Sequence, residues 1–154
     1  MDSERTPLRF WTAIAGVLAT LVFAWQAAAS SGATGAGRTS VEWIPRAYAI
    51  EGVATSALIA IVLHPARIHS RWSIDLAWIG CGALTTMAVM SAMTVGGTLV
   101  LGVVLACAAA SAGARQERVS AGRVIAAGIV GAVAQAALML LVIGGAMMLS
   151  PRSS

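Results

Sequence analysis

IDLAWIGCGALTTMAVMSAMTVGGTLVLGVVLACAAASAG, residues 74–113, runs for 40 residues with a single charge, Asp75, near its start. A helix crosses the hydrocarbon core of a bilayer in about 20 apolar residues, with a working range of about 17–25. The stretch is too long for one span and right for two. Gly96-Gly97 falls near its middle, and glycine is the weakest helix former short of proline. The reading is a helical hairpin, with spans at 74–94 and 98–114 joined by a very short turn.

Working outward from that hairpin, three more segments have the same character. Residues 10–29 are bounded by Arg9 and by the polar run SSGATGAGRTS. Residues 45–63 begin at Pro45 and close at His64-Pro65. Residues 124–149 form the longest apolar run, long enough to tilt in the bilayer. The first segment also carries Ala27-Ala28-Ala29, which resembles a signal-peptide cleavage site. Its apolar run exceeds the usual h-region of about 7–15 residues, so a retained helix is expected. The expectation is an all-α integral membrane protein, one domain over residues 1–154, built as a five-transmembrane-helix bundle.

Composition agrees. Of 154 residues, 58% are hydrophobic and 10% charged, and the mean hydropathy is +0.84. A soluble domain carries roughly a quarter charged residues, so the chain lacks the polar surface to coat a core in water. Disordered chains are polar and charged, which excludes that class. The net charge of +4 does not point to nucleic acid. All ten basic residues are arginines placed between apolar segments rather than on one stripe.

Those arginines read as a topology signal. With the N-terminus cytoplasmic, the inside carries seven (Arg5, Arg9, Arg67, Arg71, Arg115, Arg118, Arg123) and the outside three (Arg38, Arg46, Arg152). Five spans then put the C-terminus outside. Trp11, Trp72 and Trp78 fall near the inner span limits, Trp25 and Trp43 near the outer, as expected for a ring that is apolar with one polar N–H. The expected location is a bacterial plasma membrane.

Small residues recur at four-residue spacing. Gly102, Ala106 and Ala110 share a face of the fourth span, and Gly128 and Ala132 share one in the fifth. Lipid tails are as apolar as leucine, so membrane helices associate through such close-packing faces and a few polar contacts. These five residues are the candidate helix-packing positions.

The candidate polar site centres on Glu51. It lies six residues inside Pro45, roughly 9 Å down the helix. An acid at such depth faces protein or water, or is protonated. Tyr48 and Thr55 share its face at i−3 and i+4, and counting from the cytoplasmic ends puts Gln135 at similar depth across the bundle. The expected intramembrane polar cluster is Tyr48, Glu51, Thr55 and Gln135, read either as a proton or cation site or as a structural hydrogen-bond knot.

Other chemistry-bearing residues read as structural. Asp75 fits the first turn of a helix capped by Ser73, with Arg71 close enough to pair. His64 and His69 sit in an arginine-bearing loop and make a poor zinc site, which wants three or four ligands. Met87, Met90 and Met93 are read as apolar packing. Cys81 and Cys107 should fall at comparable depth on adjacent antiparallel helices and pack as small apolar groups. No nucleophile elbow, P-loop, HExxH or CxxC is present. No metal or cofactor is expected, and no catalytic residue.

The functional expectation is a non-catalytic accessory or stabilising subunit of a larger membrane complex. The alternative is a small oligomeric transporter or ion-conducting protein that uses Glu51 as its titrating group. Expected partners are the lipid bilayer and either other membrane subunits or further copies of the chain.

Overall fold

The structure, a computed structural model, describes residues 5–33, 43–64, 71–91 and 96–149. The described residues form five helices: α1 (Arg5–Ala33), α2 (Trp43–Val62), α3 (Arg71–Ser91), α4 (Gly96–Gln116) and α5 (Ala121–Leu149). Pro7 and Pro45 each stand third in their helix. In the first turn a missing N–H leaves no intrahelical bond unmade, so both prolines start helices rather than break them. The hairpin turn expected at Gly96-Gly97 is offset: α3 ends at Ser91, and the two glycines open α4.

Three of the helices contain segments long and apolar enough to cross a membrane: Trp72–Met90, Leu99–Gln116 and Ala121–Gly145. This supports a membrane location. In α1 the described apolar stretch is Phe10–Gln26, although the helix itself has 29 residues, about 43 Å at 1.5 Å per residue. α2 carries Arg46 and Glu51 within its 20 residues.

Helices α1 to α4 close into a ring in which α1 packs on α2 and α4, and α3 packs on α2 and α4. The pairings α1–α2 and α2–α3 are antiparallel. Thr20 meets Ser56 while Phe10 meets His64; Gly80 lies against Ile59 while Gly52 lies against Met87. The core lies inside this ring, with Ile59, Leu63, Leu84 and Leu99 all at most 2% exposed. The helix α5 stands outside the ring and packs on α3. That pair runs parallel: Asp75 meets Arg123 at one end, and Thr86 meets Ala132 two to three turns further on.

The turn between α4 and α5 is closed locally. Val119 N–H donates to Ala114 C=O (3.0 Å), and Arg118 N–H donates to Arg115 C=O (3.4 Å). These two bonds make a Schellman motif with Arg118 at the left-handed C′ position, φ 50°. Glycine is favoured there because a Cβ costs about 1 kcal/mol in that conformation. Arg118→Gly should therefore raise unfolding stability by up to about 1 kcal/mol, read by thermal or denaturant unfolding in detergent. Ser120 follows as the residue whose carbonyl accepts the first α5 bonds, from Arg123 (3.1 Å) and Val124 (3.2 Å).

Candidate functional site

Two kinds of position carry the interior of this bundle: glycines where backbones meet, and a small number of polar side chains. At the α1–α4 crossing, a Cβ on Gly16 would lie 3.4 Å from the Gly102 carbonyl oxygen and 3.5 Å from Ala106 N. A Cβ on Gly102 would lie 2.9 Å from Thr20 Cγ2. Ala106 and Ala110 are buried at 2% and 0% exposure. Gly102 and Ala106, two of the small-residue positions picked from sequence, thus seat α4 on α1.

The α3–α5 seam is tighter still. A Cβ on Gly82 would overlap the Gly128 carbonyl and come within 2.9 Å of Ala132 N. A Cβ on Gly131 would overlap the Ile79 carbonyl. Gly128 itself has ordinary contact with Trp78, at 3.9–4.0 Å. Thr86 Oγ1 lies within donating distance of Gly82 C=O (3.2 Å) and Ala132 C=O (3.3 Å), the second across the seam. Gly128 and Ala132 therefore belong to a contact in which Gly82, Gly131 and Ile79, not picked from sequence, are equal partners.

The N-terminal ends of α3 and α5 are tied by Asp75 and Arg123; α3 begins at Arg71, so Ser73 lies inside the helix instead of capping it, and Asp75 stands just past the first turn. The guanidinium donates through Nε to both carboxylate oxygens (2.9 and 3.1 Å) and through Nη2 to one (2.5 Å). The sequence suggested Arg71 as the partner of Asp75; that side chain lies outside the described residues, and the pair shown is with Arg123. The link is between helices, where the sequence reading placed it within one.

The polar cluster expected around Glu51 is divided between two places. Tyr48, Glu51 and Thr55 lie on α2 and are half-buried, with Glu51 three residues past Tyr48 on the same face of the helix. Thr55 faces the Gly80 region of α3: a Cβ on Gly80 would sit 3.6 Å from its Cγ2. Gln135 is 6% exposed on α5, the helix that packs on α3. Its Nε2 has no hydrogen-bond partner, and neither does the buried Tyr48 hydroxyl. The structure does not join Tyr48 or Gln135 Nε2 to Glu51 by a hydrogen bond. Counting residues sets depth along a helix axis but says nothing about which neighbour a side chain meets.

A polar contact that sequence reading missed lies between α1 and α2. Thr20 and Ser56, 0% and 3% exposed, share a 2.7 Å hydroxyl–hydroxyl hydrogen bond. Thr20 also donates to Val17 C=O (2.8 Å) and Ser56 to Val53 C=O (3.0 Å); these three contacts outnumber the two hydroxyl protons, so the protons are shared among them. Single hydroxyls in apolar helices were the available signal. Thr20→Val keeps the shape and removes the inter-helix bond. Interhelical hydrogen bonds in membrane proteins average about 0.6 kcal/mol and reach about 1.7. The expected loss is about 1 kcal/mol, measured by unfolding in bicelles against Thr85→Val, a control whose hydroxyl donates to Cys81 C=O (2.8 Å) within its own helix.

Trp11, Trp25 and Trp72 stand exposed near helix ends, at 63%, 77% and 74%. Trp78 instead turns toward the α3–α5 seam, and its Nε1 is a third buried donor with no partner. Met87 is 3% exposed in the core while Met90 faces outward at 58%, so the two do not line a common channel; Met93 lies outside the described residues. Among the described residues no group of three or more His, Cys, Asp and Glu comes together.

No protein-family model, curated protein or solved structure matches this chain. The reading of function rests on the site and the fold.

Proposed function

We propose that the chain spans the membrane five times, with the N-terminus cytoplasmic and the C-terminus outside, and serves as a non-catalytic accessory subunit of a larger membrane complex. The orientation is supported by the seven-to-three arginine asymmetry. A bacterial plasma membrane suits this arginine pattern.

The observation that carries the accessory role is the exposure of α5. Its span is the most apolar of the three, yet only 17% is buried, against 39% for the spans of α3 and α4. Ile125, Ile129, Val133, Leu140 and Leu141 are 57–74% exposed. A helix that closes no ring of its own, pinned to α3 by a glycine seam and an ion pair, presents a rigid apolar ridge in the membrane plane. Such a ridge suits packing against another subunit.

Affinity purification of the natively expressed protein in mild detergent, followed by native mass spectrometry, tests this. The expected result is a complex of fixed stoichiometry above the 15.6 kDa chain. A monodisperse monomer without a co-purifying subunit contradicts it.

A second reading, a small oligomeric transporter, is favoured by one observation: a buried, unpartnered Tyr48 hydroxyl beside the half-buried Glu51. Proteoliposome flux that falls in Glu51→Gln would support it. Absence of flux in the unaltered protein would remove it.

A further inference from the structure

A groove of about 530 Å³ runs between α1 and α2, within the size range of small-molecule sites, about 300–1,000 Å³. α1 supplies Phe10, Ile14 and Leu18 at i, i+4 and i+8, and α2 supplies Ala57, Ala60 and Ile61. The small side chains of Ala57 and Ala60 leave the space, and the exposed Leu18 and Ile61 flank it. Among the described lining residues only His64 is polar; it stands at one end, in T-shaped contact with Phe10 at 5.0 Å between ring centroids. Past the other end, the Thr20–Ser56 hydrogen bond draws the two helices together.

Length says what fits. Phe10 to Leu18 covers about 12 Å at 1.5 Å per residue. A partner helix crossing the bilayer needs a seat along about 30 Å of hydrocarbon, whereas one leaflet supplies about half of that. The groove therefore matches an acyl chain of a single leaflet. Its His64 end lies at headgroup level, because Trp11, beside Phe10, is 63% exposed there, and exposed tryptophans favour the membrane interface.

Charge at that end selects the headgroup. Asp2 and Glu4 offset Arg5 and Arg9, but Arg67 and Arg71 follow His64 with no acid before Asp75, so the sequence around this end is net positive. The N-terminus of α1 and the C-terminus of α2 meet here. Their partial charges are opposite and offset one another, which leaves the side chains to decide the sign. An imidazole ring carries at least one N–H in either tautomer, a donor suited to a phosphate oxygen.

We propose that the α1–α2 groove binds one anionic phospholipid, with an acyl chain laid along Ala57 and Ala60 and the headgroup phosphate at His64. The inference rests on the proposed placement of α1 and α2 in the bilayer. Apolar lining alone would not discriminate among lipids, since all their chains are alike to it; the polar end supplies the selectivity.

The test uses the full chain, delipidated in mild detergent and titrated with phosphatidylglycerol or with phosphatidylcholine of the same acyl chains, with bound lipid counted by native mass spectrometry. One phosphatidylglycerol per chain is expected, at about tenfold preference over phosphatidylcholine, the effect of one or two arginines near an anionic lipid. Ala57→Leu should fill the groove and weaken that binding about tenfold, the equivalent of two methylene contacts. Ala54→Leu, on the exposed face of α2, should leave it unchanged. His64→Leu, at an exposed position that does not disturb the interior, should lower the anionic preference about threefold or more. That variant keeps the test decisive if Ala57→Leu does not fold. Equal binding of the two lipids by the wild type overturns the proposal, as does unaltered binding in Ala57→Leu or an unchanged preference in His64→Leu. Flotation of the reconstituted chain with vesicles reads the span placement separately. A chain that floats without lipid preference loses the site alone, and one that does not float contradicts both.

Discussion

Gly131→Leu should detach α5 from the rest of the molecule. A Cβ at Gly131 already overlaps the carbonyl of Ile79, and the neighbouring atoms are Ile79 C and Cα at 2.7 and 2.9 Å. All three belong to the α3 backbone, so no side-chain rotation relieves the clash; the helices must separate. Separation also pulls Thr86 Oγ1 away from Ala132 C=O and moves Gly82 off Gly128. Overpacking a well-packed interior costs typically about 1–3 kcal/mol and occasionally more. With backbone against backbone, the expected loss is at or above the top of that range, about 3 kcal/mol. Gly144→Leu is the matched control, because nothing lies within 4 Å of a Cβ there. Unfolding in bicelles should show the first variant strongly destabilised and the second within about 0.5 kcal/mol of wild type. Equal effects would show that the seam is not where α5 is held.

Gln135→Met should act with the opposite sign. Gln135 is 6% exposed and its Nε2 has no partner. A buried donor left unsatisfied costs about 1–3 kcal/mol, and replacing it with an apolar group of similar shape is near neutral or stabilising. Methionine matches glutamine in length and fills irregular gaps readily. The expected gain is about 1 kcal/mol in the same unfolding measurement. A loss instead would mean that Nε2 finds a partner in the bilayer or on another chain, and that Gln135 belongs to a polar contact beyond this bundle. Either sign is informative about the residue grouped with Glu51 on depth alone.

The positions of the five helices were legible in the sequence because apolar runs bounded by arginine, proline and glycine mark where a chain enters and leaves an apolar phase. Their ends were less so. Residues 10–29 marked the first segment, but α1 extends over Arg5–Ala33. Hydropathy records the part suited to hydrocarbon, whereas helical hydrogen bonding continues into polar residues at either end.

Neighbour relations were only half legible. The stripes Gly102–Ala106 and Gly128–Ala132 were visible as close-packing faces, and both meet glycines on other helices, at Gly16 and Gly82. Nothing in the stripes says which helix they meet. In a span apolar on every side, a small-residue face fixes an azimuth but not a partner. The same gap separated Gln135 from α2 and hid the Thr20–Ser56 bond. Of the cysteines, equal depth was legible; that Cys81 is buried and Cys107 half-buried depends on helix rotation, which one sequence does not encode locally.

The central claim is that the exposed ridge of α5 packs against another membrane subunit. Photocrosslinking amino acids placed singly at Ile129, Val133, Leu140 and Leu141, and at Ile61 on α2 as an outward-facing control, test it in native membranes. One protein adduct of discrete size is expected from the α5 positions, and lipid adducts alone from Ile61. Lipid adducts alone from all five positions would contradict it.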